Sequence, residues 1–217
     1  MQFDLQGADA PHAYRLLASV VVPRPIALVT TINLDGQVNA APFSFFNLMG
    51  SSPPVVALGI AHRGPGTPKD SRANIERTGE FVISLVHTSL AEAMNVCGID
   101  FPAGVSELAA AKLTTAASVK VQTPRIAESL VQMECRLASV VEVGDNQIVL
   151  GEVVFLHVRD EFMEPESLRV RTEAMGLIGR MHGGGWYARM TDLFDLPRKT
   201  YEQWLQESGD EEAAGVS

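Results

Sequence analysis

The sequence predicts a mainly β fold, an antiparallel barrel with a few short helices packed outside it. Three observations carry this. Stretches that read as strands recur at 26–32, 38–41, 55–60, 81–86, 130–143 and 147–158, the first of them rich in β-branched residues. Two of the joins, Asn33-Leu34-Asp35-Gly36 and Asp145-Asn146, are turn sequences of the kind that connect hairpins. The helical stretches are few and short, and they do not alternate with strands as a doubly wound parallel sheet requires.

Residues 9–19 form the first predicted helix. Asp9 can cap it, Pro11 suits its first turn, and Tyr14, Leu17 and Ala18 share a face. Pro23-Arg24-Pro25 stops the helix and starts extended chain. Residues 26–32 are apolar on both faces, which suits a central strand, and Gly36 offers the positive φ of the turn into 38–41. A strand follows at 55–60, then a helix at 70–77 capped by Asp70 or Ser71 and ended by Gly79. Residues 81–86 are a strand, 89–96 a helix with Thr88 or Ser89 as cap, and 106–111 a third short helix in an otherwise irregular stretch from 98 to 128. In 130–143, Val131, Met133, Cys135 and Leu137 alternate with Gln132, Glu134 and Arg136, giving one buried face and one wetter face. Its hairpin partner, 147–158, is apolar on both faces except at Glu152 and His157, and residues 197–205 form a last amphipathic helix carrying Tyr201 and Trp204.

The chain has 217 residues, 46% of them hydrophobic, enough for one ordinary domain with a full core. The expected division is a single domain over 1–206, its core at about 14–189, followed by a disordered acidic tail at 207–217. The net charge of -9 argues against nucleic acid or an anionic membrane as partner. Cys97 and Cys135 are too few and too far apart for a disulfide framework, which points to the reducing cytoplasm. Residues 1–10 carry neither a basic leader nor an apolar core of a signal, and no apolar run approaches the roughly 20 residues that span a bilayer.

The chemistry-bearing stretch is Asn39-Ala40-Ala41-Pro42-Phe43-Ser44-Phe45-Phe46-Asn47. Small residues there let a flat ligand approach the backbone, Asn39 and Ser44 add side-chain contacts, and Pro42 limits flexing. Further on, Lys69-Asp70-Ser71 at a helix start offers free amide N–H groups, a point charge on Lys69 and a hydroxyl on Ser71, an arrangement that suits a phosphate; Arg63 is a second candidate cation. A planar ring, a polyol and a terminal phosphate are the parts of flavin mononucleotide (FMN). The same residues would also serve as a plain hairpin exit loop and an ordinary capped surface helix. Gly183-Gly184-Gly185, with His182, Trp186 and Tyr187, is a further candidate wall, although it lacks the strand-to-helix setting of a dinucleotide fingerprint.

Other chemistries find little support. The sequence has no H-E-x-x-H, no paired C-x-x-C and no G-x-S-x-G, and its five histidines lack metal-ligand spacing, so no metal site is expected. His157 reads as a structural histidine, Cys135 as packing, and Cys97, at a helix end, as a poor nucleophile.

The runs Pro23 to Thr31, Asn39 to Asn47 and Pro53-Pro54-Val55-Val56 resemble the flavin reductase-like, FMN-binding split-barrel family. Lys69-Asp70-Ser71 with Asn74-Ile75, the run Thr78 to Ile83, Ala91 to Asn95, Pro124-Arg125-Ile126, and Gly179-Arg180 with Tyr187 extend the likeness across most of residues 14–189. The resemblance implies a six-stranded Greek-key split barrel and a homodimer with the flavin groove near its interface. It implies FMN as ligand and NADH or NADPH as co-substrate, with electrons passing to free flavin, oxygen, iron or a partner monooxygenase. Carried onto this chain, Thr30, Thr31, Asn39, Ala41, Pro42, Ser44 and Phe45 would line the flavin, with Asn47 either touching it or holding the loop. Backbone N–H groups from Phe43 to Phe45 would face its polar edge, and Lys69, Asp70 and Ser71 would reach the ribityl chain or phosphate. No catalytic side chain is named, because the cofactor carries the chemistry. The runner-up is a non-enzymatic FMN electron carrier with no nicotinamide site; a barrel without flavin and oxidation of a pyridoxine phosphate remain open.

Overall fold

The computed structural model describes residues 1–64, 68–102 and 104–206. The expected tail at 207–217 lies outside the described residues. Seven strands form one antiparallel sheet: β1 (Ala27–Ile32), β2 (Val38–Phe43), β3 (Phe46–Ser51), β4 (Pro54–Ala61), β5 (Glu80–Leu85), β6 (Val131–Val143) and β7 (Asn146–Val158). Their order across the sheet is β2-β1-β5-β6-β7-β4-β3. The two edge strands, β2 and β3, are neighbours in sequence, joined by Ser44-Phe45 alone. The chain itself therefore ties the sheet's two edges, and no ladder joins them, which makes the barrel split.

Closure shows in the core. Ala27 and Val29 of β1, Phe43 of β2, Val56, Leu58 and Ile60 of β4, Phe81 and Ile83 of β5, Cys135 of β6 and Val149 of β7 share one buried cluster. Strands from both ends of the order can meet only if the sheet curls on itself. The outer face of β1 and β2 is covered separately, with Leu28 and Ala40 packing under Leu90, Met94 and Leu108. These come from the short helices that follow β5, including α3 (Ala91–Val96) and α4 (Glu107–Ala110).

Helix α2 (Asp70–Thr78) lies at the barrel end where β1 finishes and β2 begins, and its Ile75 joins the interior cluster. Gly79 ends it in the left-handed conformation, φ 71°, as a glycine permits at no steric cost. The expected Asp70 or Ser71 cap does not form: Lys69 occupies the capping position, in extended conformation, and no side chain caps the helix.

Several expectations are corrected. The sheet has seven strands rather than six because Phe46–Ser51 pairs with β4. That stretch has no β-branched residue and reads as loop; pairing, not propensity, makes it a strand. The β6–β7 turn falls on Gly144-Asp145, one residue earlier than expected, with Gly144 at φ 57°. Helix α1 (Ala13–Val20) follows a 3-10 turn, and Asp9 bonds Asp4 N instead of capping it. Neither Thr88 nor Ser89 caps the turn into α3: the capping position is His87, without a side-chain bond. Among the described residues the last helix occupies 201–206, starting four residues later than expected, and its side chains are exposed. His157 is the structural histidine expected. Its Nε2 donates to Glu134 at 2.6 Å, and Glu134 also accepts the backbone N–H groups of Val119, Lys120 and Val121.

Candidate functional site

Register decides which of the expected residues share a face. Asn39 pairs with Thr31, Ala41 with Val29 and Phe43 with Ala27, so these residues alternate with Ala40, Pro42 and Thr30 on the opposite face. Thr30 and Thr31 therefore point to opposite sides, and neither is open to a ligand. Both are fully buried: Thr30 donates to Pro124 O at 2.6 Å, and Thr31 accepts from Asn74 Nδ2 at 3.1 Å. Their hydroxyls brace the barrel. Phe43 is likewise a core residue, 7% exposed, leaving only its backbone to a ligand.

Ser71 is brought to Asn39, thirty-two residues away, at 2.9 Å. The Asn39 amide is better satisfied turned over: its Nδ2 then donates to Glu107 Oε1 at 3.1 Å, and its Oδ1 accepts from Ser71 Oγ. Ser71 is 2% exposed, so it braces Asn39 from beneath rather than offering an open hydroxyl. Lys69 sits above, its ammonium 5.8 Å from the Phe43 ring centroid. Arg63 pairs with Asp70 at 2.9 Å, and both are exposed. Its charge is already answered, and the Asp70 carboxylate cannot itself hold an anion, so Lys69 and the uncapped first turn of α2 carry the positive end of the site.

At the other end of β2, Ser44 is half-buried and accepts from Arg24 Nε at 3.4 Å. Phe45 is exposed, with Arg24 over its ring at 5.7 Å and the Tyr14 ring 6.2 Å away. Asn47 is exposed and its Oδ1 takes the Leu48 N–H, so it holds its own strand. Pro42 stands on an edge strand, the place where a missing N–H costs no ladder bond. From Asn39 to Ser44 an extended strand covers about 17 Å. A free edge thus runs from a cationic, uncapped helix tip to an exposed aromatic loop, and this arrangement fits a long ligand with an anionic end and a planar end.

Sequence reasoning missed Arg24, Tyr14, Asn74 and Glu107. Arg24 had one signal, a charge set between two prolines at the head of an apolar strand; the others are ordinary polar or aromatic residues on helices. Elsewhere, a cavity of about 300 Å³ lies between Pro23–Ile26 and residues 172–193, and Arg24 is its link to the Ser44–Phe45 loop. The Gly183–Gly185 turn sits between two paired strands, Ile178–Arg180 and Tyr187–Arg189, with Arg180 over the Tyr187 ring at 4.8 Å. Burial and the Glu107 charge push the Cys97 thiol up to about 11, and burial raises Cys135 further, so neither is a nucleophile. Among the described residues no group of His, Cys, Asp and Glu is placed to hold a metal ion, and no helix is long and apolar enough to cross a membrane.

The fold defines a split-barrel protein. Residues 19–174 match the flavin reductase like domain, and the chain belongs to that family. An uncharacterized protein of Deinococcus radiodurans is 44% identical over 211 residues, covering 94% of this chain and 92% of its own length. The crystal structure of 2-nitrobenzoate 2-nitroreductase NbaA from Pseudomonas fluorescens is similar at 34% identity and TM-score 0.83, covering 93% of this chain and 98% of that one. Nitrilotriacetate monooxygenase component B from Bacillus cereus is similar at 29% identity and TM-score 0.84, covering 90% and 98%.

Proposed function

We propose that this protein is an FMN-dependent oxidoreductase that takes reducing equivalents from NADH or NADPH and delivers them to a small acceptor or to a partner monooxygenase. The observation that carries the reading is the edge strand β2, with the Lys69 charge and the uncapped α2 tip at one end and Ser44-Phe45 at the other. Family membership supports a flavin as the occupant. When bound, the flavin supplies hydride acceptance and onward electron transfer.

The protein's own part is to hold and to polarise. The Lys69 ammonium and the first-turn amides of α2 hold the phosphate. Asn39, braced by Ser71 and Glu107, fixes the polar wall of the groove. The small side chain of Ala41 and the constrained Pro42 keep the β2 backbone close and rigid beside the ligand. Backbone N–H groups between Phe43 and Phe45 oppose negative charge on the ring. Likeness to proteins named as a nitroreductase and as a monooxygenase component supports an organic acceptor and a partner enzyme, respectively.

A homodimer is part of the proposal. Tyr14, Leu17 and Val20 of α1 are 73%, 49% and 73% exposed, and Leu48 and Met49 of β3 are 63% and 58% exposed. So many apolar side chains beside the groove suit burial against a second copy.

The test is the absorption spectrum of the purified protein with FMN, followed by anaerobic titration with NADH and with NADPH. Bleaching of bound FMN by either nucleotide is the expected result. A yellow protein that neither nucleotide bleaches is the electron carrier instead, and a protein that takes up no FMN overturns the proposal.

A further inference from the structure

Two charged side chains are buried among the described residues, Glu134 at 0% and Arg24 at 7% exposure. Glu134 has His157 as its partner. None of the ion pairs of the described residues includes Arg24. Its Nη1 donates to Ala18 O at 2.6 Å and Val21 O at 2.7 Å, its Nη2 to Met181 O at 3.2 Å, and its Nε to Ser44 Oγ. Two carbonyls at the C-terminal end of α1, the Met181 carbonyl and one hydroxyl thus solvate the guanidinium, and one Nη2–H is left over. Hydrogen bonds of this kind orient a cation without cancelling its charge. A desolvated charge acts over a longer range than an exposed one, because less water screens it. The nearest parts of the proposed site are Ser44 and Phe45, and Arg24 touches both.

We propose that Arg24 supplies the positive charge at the ring end of the flavin site and thereby sets the reduction potential of the bound cofactor. This rests on FMN lying along β2 with its ring at Ser44-Phe45. Two-electron reduction with uptake of one proton adds one net negative charge to the ring, while the reductant loses the same two electrons. A fixed cation beside the ring binds that product more tightly than the oxidised form. Arg24 is the only buried cation among the described residues; Lys69 is half-buried, and Arg63 is exposed and paired with Asp70.

The experiment is a dye-coupled potentiometric titration of bound FMN in wild type, Arg24→Gln and Arg24→Lys, with FMN affinity measured alongside. Arg24→Gln is expected to lower the potential by about 30 mV or more, a tenfold loss of preference for the reduced ring, while affinity for oxidised FMN changes less than threefold. Arg24→Lys should keep most of the wild-type potential. In wild type, bound FMN should titrate above free FMN, a result that needs no variant to fold. Unchanged potential in Arg24→Gln, an equal fall in Arg24→Lys, or wild-type FMN titrating below free FMN would each overturn the assignment while leaving FMN binding intact. Wild type that binds no FMN overturns it together with the functional reading.

Discussion

Lys69 and Glu134 show how differently two charges serve this molecule. Lys69 is half-buried over the Phe43 ring and pairs with no carboxylate among the described residues, so its charge is available to a ligand. Lys69→Ala should weaken FMN binding roughly ten- to hundredfold, the effect of one charge-assisted hydrogen bond, and leave the ring spectrum unchanged. Equilibrium dialysis reads this directly, and equal retention by variant and wild type would remove the phosphate assignment. Glu134 works inward. Burial pushes its carboxyl up, but the bonds from His157, Val119 and Lys120 and the His157 charge outweigh that and hold it below the usual 4.5. A carboxyl depressed in the fold contributes stability that is full above 4.5 and is lost as pH falls through the lower folded value. Glu134→Gln should cost about 3 kcal/mol at neutral pH, and its gap from wild type should narrow below pH 4.5. Urea unfolding at several pH values checks both; parallel curves would contradict the assignment. At this scale the sequence marked Asn39, Ser44 and Lys69, but it could not tell that the hydroxyls of Thr30 and Thr31 are already engaged.

Among the elements, the strands were legible where residues packed on two faces leave a continuous apolar run, as in β1, β4 and β5. β3 was not legible, because Phe46-Asn47-Leu48-Met49-Gly50-Ser51 has no pattern of its own and becomes a strand only against β4. The uncapped α2 was misread for a related reason. Asp70 and Ser71 are good capping types, yet the extended Lys69 starts the helix one residue earlier, and Ser71 turns to Asn39. Gly151 in β7 lies next to a register shift against β6. A Cβ there would stand 2.3 Å from Phe81 Cζ in the barrel interior. Because Phe81 is fully buried, the ring has nowhere to go. Gly151→Ala should therefore destabilise the fold by about 1–3 kcal/mol, seen as a lower Tm. An unchanged Tm would mean that the barrel wall yields more than its packing suggests.

For the whole molecule, the apolar surface on α1 and β3 has a consequence for assembly. The 23.4 kDa chain should sediment at twice its mass, and Leu17→Asp with Val20→Asp should return it to the monomer while costing little stability, since both side chains are exposed. Sedimentation of the wild type as a monomer at micromolar concentration would contradict the dimer. If the flavin groove lies at that interface, the dissociated variant should also bind FMN more weakly.

The sequence by itself determined the mainly β class, the family likeness, the hairpins and the two segments that make the candidate groove. Each of these rests on local rules: the two-residue alternation of strands, turn chemistry and the order of motifs along the chain. Only the tertiary structure decided that Ser71 braces Asn39, that Thr30 and Thr31 face opposite ways, and that Arg24 is buried beside Ser44 without an opposing charge. Those facts depend on how the sheet curls and which distant elements close over it. Contacts between residues tens to more than a hundred positions apart leave no local pattern to read.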